Sequence, residues 1–291
     1  MAPAPTIRGS QAVTREVRDS AMRGEPDRYL AATLAPVEAR PALAAIAAFA
    51  AELGRIPSTV SEPMLGDIRL QWWRDTLERG RQGARSGHPV ADAMIDAEAR
   101  HGFPPELLTA MIDTRELDLA GGMPQDDAGL AAYLVATQGH PFRLALGVLG
   151  ATSESADGLA RAAGEAYGLA RSLCRLAMLV HNGGVILPAE RLKVAGVDPS
   201  VLTAEPLSHD SEAAVRAVCD ALEMRARAAL ADVRAQWPTI DRRWRAALLP
   251  LAMVEPYFRA QSGRQSVLEP CDVSPIARVV RIGMARFAGR V

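Results

Sequence analysis

The sequence has few residues that could form covalent cross-links or bind transition metals. Its three cysteines, Cys174, Cys219 and Cys271, are scattered through the second half of the chain. An odd number of cysteines without regular intervals argues against a disulfide framework and for a reducing compartment. No Cys-x-x-Cys or His-x-x-x-His pattern occurs, so the sequence indicates no zinc site.

Lysine and long apolar runs are also scarce. Lys193 is the only lysine, and the formal net charge is −1, so we expect no nucleic-acid partner. No uncharged apolar segment reaches the roughly 18 residues that a membrane span requires. The first residues lack the apolar core of a signal peptide. We therefore expect a cytoplasmic protein whose residues 1–24 form a disordered tail.

Helix-forming residues fill the rest of the chain. Alanine and leucine dominate, alternating β-branched runs are nearly absent, and apolar residues recur with a helical period. One helix begins near Pro41, and Pro57 with Ser58 is expected to end it. The segment 154–180 is apolar on several faces, which predicts a central helix. The sequence predicts a single all-α domain of about ten helices over residues 25–291.

Four segments together resemble the squalene/phytoene synthase family. The first, DRYLAATLAPVEARPALAAIAAFAAEL at 27–53, pairs an aromatic-bearing helix with an alanine-rich one. The second, GDIRLQWWRDTL at 66–77, matches the next family helix closely, and LAAYLVATQGHPFRLALGVLG at 130–150 matches a tyrosine-bearing helix loosely. The fourth, at 167–197, contains ILPAERL, the clearest part of the match. The resemblance covers roughly residues 27–291 and implies the isoprenoid synthase fold, with helices around a central cavity.

Enzymes of this family join two isoprenyl diphosphates, and that chemistry requires carboxylates. The leaving diphosphate carries several negative charges, which Mg²⁺ ions neutralise. Mg²⁺ prefers oxygen ligands, such as aspartates one turn apart on facing helices. This sequence departs from the pattern in both places. The first motif region reads Gly54, Arg55 and Ser58, and the second, 166–189, contains no Asp or Glu.

These departures put positive charge in the motif regions, where the family has negative charge. In the second region, Arg171 and Arg175 lie one turn apart on the predicted central helix. The loss of both acidic motifs resembles a branch of the family that includes a mitochondrial complex I assembly factor. We therefore expect no catalytic residue, no metal site and no cofactor, with Mg²⁺ needed only if the protein is an unconventional enzyme.

Two sets of residues are candidates for binding or interaction. Guanidinium groups suit phosphate oxygens, so the candidates for direct binding of a substrate or anion are Arg28, Tyr29, Arg40, Arg55, Arg171 and Arg175. The candidates for structural or partner contacts are Arg69, Gln71, Trp72, Trp73, Asp75 and His181. Neighbouring residues point about 100° apart on a helix, so we expect one tryptophan in the core and the other at a rim or partner surface.

Three functions remain open. The leading hypothesis is a catalytically inactive scaffold, for which the resemblance implies a role in assembling a membrane-protein complex of the respiratory chain. The second is an active head-to-head prenyltransferase with an atypical metal site, which would need carboxylates such as Asp67, Asp113 or Glu116. The third is a carrier or sensor that binds an isoprenoid lipid in the retained cavity.

The last predicted helix is basic on an otherwise neutral chain. It carries Arg278, Arg281, Arg286 and Arg290. A solvated face is the simpler interpretation of this pattern. The alternative is peripheral contact with an anionic membrane surface, which for this resemblance would be the inner membrane.

Overall fold

The computed structural model describes residues 13–60, 62–151, 154–203 and 207–291. Within these ranges the chain is all helical, as predicted, and no residue lies in a β-strand. The first eight α-helices are α1 (Arg15–Gly24), α2 (Pro26–Thr33), α3 (Arg40–Thr59), α4 (Pro63–Arg81), α5 (Pro89–His101), α6 (Pro105–Asp113), α7 (Arg115–Leu119) and α8 (Asp127–Leu134). The others are α9 (His140–Val148), α10 (Glu154–Cys174), α11 (Leu176–His181), α12 (Ala189–Val194), α13 (His209–Gln236), α14 (Arg245–Leu248), α15 (Val254–Ser262) and α16 (Pro275–Ala288). Shorter turns are the π-helical Val135–Gly139 and the 3₁₀ turns Pro199–Thr203 and Leu249–Met253.

Helix α10 is the centre of the larger of two hydrophobic cores, as its apolar pattern predicts. It packs against α9, α13 and α15, and its Tyr167 is fully buried. The π-helical turn crosses it at very short range. A Cβ added to Gly164 would lie 2.5 Å from the Cα of Gly139, closer than any side chain tolerates. Glycine at this position therefore allows two backbones to touch.

Helix α3 is the centre of the second core and packs against α1 and α5. Its alanine-rich stretch is buried throughout, because small side chains let neighbouring helices approach from several sides. The helix continues to Thr59, so the predicted break at Pro57 is wrong. Pro57 lies in the last turn, where its ring suits a helical φ and its missing N–H removes only one hydrogen bond.

The predicted disordered tail over residues 1–24 is wrong for its second part, because Arg15–Gly24 form α1. The Thr14 side chain caps this helix by accepting a hydrogen bond from the backbone N–H of Val17. Val17 and Ala21 are buried one turn apart, and the helix packs on α3. The segment is strongly polar on average, with few apolar residues, and such a composition is typical of disordered tails. Residues 1–12 lie outside the described residues.

A buried polar network fastens α16 to the core. The carboxylate of Asp27 has 0% exposure and accepts hydrogen bonds from the hydroxyls of Tyr167 at 2.9 Å and Tyr257 at 2.5 Å. Arg278 of α16 donates to Asp27 at 2.6 Å and to the Tyr257 hydroxyl at 2.7 Å. Arg278 is thus buried, contrary to its predicted place on an exposed basic face. A buried guanidinium needs such a partner, since an unpaired charge in the core is strongly destabilising.

Candidate anion-binding cavity

A cavity of about 370 Å³ lies between α1, α3, α10 and α11. It brings together the two regions in which the resemblance places the family's acidic motifs. Gly54, Arg55 and Ser58 line it from α3, and Arg171 and Arg175 line it from the end of α10. Two regions that are distant in the sequence therefore form one site, as the resemblance implies.

Positive charge predominates in this cavity. Among the described residues, its charged lining consists of five arginines and two carboxylates, namely Arg23, Arg55, Arg115, Arg171, Arg175, Glu25 and Asp118. Like charges repel more strongly in a partly desolvated site than in bulk water. Each arginine is therefore stable only with an internal carboxylate, with solvent, or with a bound anion beside it.

Glu25 neutralises one side of the cavity. Its buried carboxylate accepts hydrogen bonds from Nε of Arg28 at 3.1 Å and from Nη1 of Arg171 at 2.8 Å. Burial alone would raise the pKa of Glu25, but the guanidinium groups of Arg171 and Arg28 lower it below its ordinary value. Glu25 therefore stays ionised, and both arginines are structural partners of an internal anion.

Asp118 neutralises a second arginine of the cavity. Its carboxylate accepts hydrogen bonds from Nη1 of Arg115 at 2.9 Å and from the hydroxyl of Tyr133 at 2.9 Å. Burial and the nearby carboxylate raise the pKa of Tyr133, so the phenol stays protonated and continues to donate. Asp118 thus has little capacity left for another cation.

Arg55 also has an internal partner. It donates to Glu52 at 2.6 Å, and Glu52 accepts a second hydrogen bond from Ser20 of α1 at 2.5 Å. The arginine of the first motif region is therefore held at the edge of the cavity. Because Arg55 is largely exposed, this ion pair contributes little to stability.

Arg23 and Arg175 have no carboxylate ion-pair partner among the described residues. Across the described parts of the chain, no Asp or Glu oxygen lies within ion-pair distance of either guanidinium. Arg175 instead donates to the sulfur of Met178 at 3.4 Å. The neighbouring Arg171 guanidinium, and then burial, lower the pKa of Arg175 below its ordinary value. An anion bound beside Arg175 would supply the missing negative charge.

Three of the six arginine and tyrosine candidates do not line the cavity. Arg28 is buried and also donates to the side chain of Gln138 at 3.1 Å. Arg40 donates to the backbone carbonyl of Ala35 at 2.9 Å, and Tyr29 packs against the second core. The other three candidates, which come from the two motif regions, are the ones that the fold brings together.

The two tryptophans of α4 divide between core and surface, as expected for neighbours on a helix. Trp73 is buried and packs edge-on against Phe49, with ring centroids 5.2 Å apart. Trp72 is 36% exposed and packs against His88. Its outer face is free to cover a rim or a partner.

The polar candidates of α4 make two separate contacts. Gln71 donates to Asp75 at 2.7 Å, whereas Arg69 donates at 2.7 Å to Thr59 at the end of α3. His181 is exposed at the end of α11 and is not among the cavity-lining residues. Contact of these residues with a partner stays a prediction.

The cavity residues do not fit a magnesium site. Mg²⁺ needs oxygen ligands, whereas the two motif regions present guanidinium groups, which only donate hydrogen bonds. Glu25 and Asp118 are already bonded to arginines. Within the described residues, no group of three His, Cys, Asp or Glu side chains could hold a metal ion. The geometry therefore supports no metal-assisted step.

The carboxylates considered for an atypical metal site lie elsewhere. Asp113 and Glu116 both accept hydrogen bonds from Arg74, at 2.7 Å and 2.5 Å. Asp67 is exposed on α4. None of the three lines the cavity, so they do not converge on its arginines.

Sequence reasoning missed five charged or phenolic residues of the cavity: Arg23, Glu25, Arg115, Asp118 and Tyr133. For two of them, the sequence contained a signal that could have identified them. Glu25 stands just before the first matched segment, and Tyr133 lies within the third. The others sit in runs of mixed charge that are typical of solvated helix faces.

The described residues form an all-helical structure with the isoprenoid synthase fold. The crystal structure of a dehydrosqualene synthase in complex with ligand matches it with a TM-score of 0.76 and 16% identity, over 94% of this chain and 94% of that chain. Squalene synthase HpnC from Alicyclobacillus acidocaldarius matches with a TM-score of 0.70 and 18% identity, over 84% of this chain and 91% of that chain. At these identities the likeness shows the fold alone.

The chain belongs to the squalene/phytoene synthase family, whose model matches residues 21–269. It is also similar to NADH dehydrogenase (ubiquinone) complex I, assembly factor 6, from Bos taurus. The two are 29% identical over 189 residues, which are 65% of this chain and 57% of that protein. The chain thus spans little more than half the length of this relative. The resemblance to the family and to its assembly-factor branch is confirmed.

Glutamine substitutions of the two arginines at the end of α10 should have different effects on stability. Arg171→Gln leaves the buried carboxylate of Glu25 with Arg28 alone, so the free energy of unfolding should fall by about 3 kcal/mol. Arg175→Gln removes a charge that Arg171 repels, so the free energy of unfolding should stay the same or rise by up to about 1 kcal/mol. Urea unfolding followed by circular dichroism at pH 7 measures both values. Equal losses in the two variants would contradict the assignment of Arg175 as uncompensated.

Proposed function

We propose that this chain is a catalytically inactive member of its family that acts as a scaffold in assembling a respiratory membrane-protein complex. The observation that carries the proposal is the charge of the cavity. Glycine, serine and arginine stand in the motif regions, where the family chemistry needs carboxylates. The assembly role is supported by the bovine relative, which is named a complex I assembly factor.

The arginines of the cavity are poor substitutes for metal ions. Arg55, Arg115 and Arg171 are each paired with an internal carboxylate, so little of their charge is available to a ligand. Two guanidinium groups remain, and a diphosphate leaving group carries several negative charges. Binding of such an anion is feasible, but ionisation of its C–O bond lacks the Lewis acid that family chemistry uses.

The proposal predicts no turnover of isoprenyl diphosphates. The purified protein, incubated with farnesyl diphosphate, Mg²⁺ and NADPH, should yield no squalene or dehydrosqualene above the protein-free control, as measured by gas chromatography and mass spectrometry. An active family synthase under the same conditions provides the positive control. A hydrocarbon product that disappears on addition of a chelator would contradict the proposal and favour an atypical metal site.

A second function, direct binding of a phosphate-bearing isoprenoid-like ligand, is favoured by the uncompensated charge of Arg175. Apolar residues line the same cavity beside the arginines, including Ala50, Ala51 and Leu179. An amphipathic ligand could therefore place its anionic group against the guanidinium groups and its hydrocarbon part against this wall. Such binding is compatible with a scaffold that responds to a lipid.

This second function predicts metal-independent binding of inorganic pyrophosphate. Isothermal titration calorimetry in the presence of a chelator should detect binding. Arg175→Gln should weaken it by about 10-fold or more, since a charge-assisted hydrogen bond is worth roughly 1.5–3 kcal/mol. Arg100→Gln, an exposed arginine on α5, is the matched control and should bind like the natural chain. Binding that needs Mg²⁺, or that both variants retain, would exclude this site.

The proposal also includes contact of the protein with an anionic membrane through α16. No helix of the described residues is long and apolar enough to cross a bilayer. However, α16 exposes apolar side chains on the face opposite its core contacts, namely Ile276, Val279, Val280, Met284 and Phe287. Arginines flank this face, and Pro275–Ala288 contains no Asp or Glu. An apolar stripe bordered only by positive charge is complementary to an anionic lipid surface.

Vesicle flotation tests this contact. The protein should float with vesicles of phosphatidylglycerol and phosphatidylcholine, but not with pure phosphatidylcholine. Replacing Val280 and Phe287, which is 92% exposed, with serine should reduce the bound fraction by about 10-fold or more, because two apolar anchors are lost. Val194→Ser, an 89% exposed valine on α12, should have no effect. Equal flotation of both variants would rule out α16 as the docking face.

A further inference from the structure

Two cysteines that are far apart in the sequence meet beside the cavity. The Sγ atoms of Cys174 and Cys271 lie 2.8 Å apart, and Sγ of Cys271 lies 3.1 Å from the backbone oxygen of Cys174. Cys174 ends α10, and Cys271 lies in the loop between α15 and α16. Sulfur atoms in a disulfide bond lie about 2.05 Å apart, so a small movement would join these two.

The pair borders a crevice that a small reagent can enter. This crevice has a volume of about 320 Å³ and shares Arg23, Arg171 and Arg175 with the main cavity. Cys174 is buried and Cys271 is partly exposed, so a reagent reaches Cys271 first. Burial raises the pKa of Cys174, so the more accessible Cys271 is expected to react first.

We propose that Cys174 and Cys271 form a redox-sensitive disulfide that ties the C-terminal segment to the end of α10. The oxidant is a small-molecule disulfide such as glutathione disulfide. The Cys271 thiolate attacks one sulfur of this disulfide and expels the first thiolate. Cys174 then gives its proton to solvent and attacks the Cys271 sulfur, which forms the internal bond and expels the second thiolate. The two expelled thiolates take up from solvent the two protons that the cysteines have lost. One small disulfide is reduced to two thiols as the two protein thiols are oxidised.

The bond would restrain the segment that positions α16. Asp272, the next residue after Cys271, accepts a hydrogen bond from Arg278, as does the backbone oxygen of Val273 at 3.1 Å. Arg278 in turn holds the buried carboxylate of Asp27. Oxidation would therefore lock the last helix to the core. A single reversible bond of this kind is compatible with a reducing compartment, and the inference is independent of the proposed function.

Peptide mapping tests the inference directly. The full chain is equilibrated in glutathione buffers from fully reducing to fully oxidising, the free thiols are blocked, and the protein is digested with trypsin without reduction. The oxidised sample should contain the linked peptides SLCR (172–175) and QSVLEPCDVSPIAR (265–278). Cys219 should remain free in AVCDALEMR (217–225). Oxidation should also raise the Tm by about 5–10 °C, since it closes a long loop in the unfolded chain.

Single substitutions provide the controls. Cys271→Ser should lose both the linked peptides and the rise in Tm, whereas Cys219→Ser should keep both. The inference is overturned if the folded, oxidised chain yields no linked peptides, or if Cys219 cross-links as readily as the proposed pair. Linked peptides without any change in Tm would overturn the locking role.

Discussion

A buried carboxylate between two guanidinium groups fixes the charge distribution of the cavity. Glu25 holds Arg28 and Arg171, and so joins the end of α1 to α10. Arg175, one turn further on, has no carboxylate partner among the described residues, and Arg171 repels it. One half of the cavity thus contains internal ion pairs, whereas Arg23 and Arg175 have none among the described residues. This division explains how a cationic site can exist within a stable helical core.

The same short segment also determines how the C-terminal helix is held. Within Glu25–Arg28, Glu25 pairs with α10, whereas Asp27 pairs with Arg278 of α16 and with the hydroxyls of two buried tyrosines. The central helix α10 and the C-terminal helix α16 are therefore both fastened to this four-residue segment. The inner face of α16 is fixed by this network, which leaves its outer apolar face available for contact with another surface. The proposed disulfide would strengthen the same attachment.

Three features could be predicted from the sequence: the helical class, the central position of α10, and the placement of the two motif regions opposite each other. They follow from apolar periodicity and from a resemblance spread over four segments. The internal carboxylates of the cavity could not be predicted. Glu25 and Arg171 are 146 residues apart, and Cys174 and Cys271 are 97 apart, so no local spacing reveals either pair. The prediction that Arg278 lies on an exposed face was wrong for the same reason, since its partner Asp27 is 251 residues away. The helix through Pro57 shows that packing outweighs local propensity when a proline lies in a last turn.

We infer that a family fold whose cavity presents arginines from the two motif regions is better suited to binding than to catalysis. We propose that the site between α3 and α10 recognises anions without a metal ion. Anomalous diffraction from crystals soaked with Mn²⁺ and a non-reactive farnesyl diphosphate analogue tests this claim most directly. The account predicts no anomalous peak between these helices, with any bound diphosphate lying against Arg175. Manganese peaks coordinated by protein carboxylates in this cavity would contradict it.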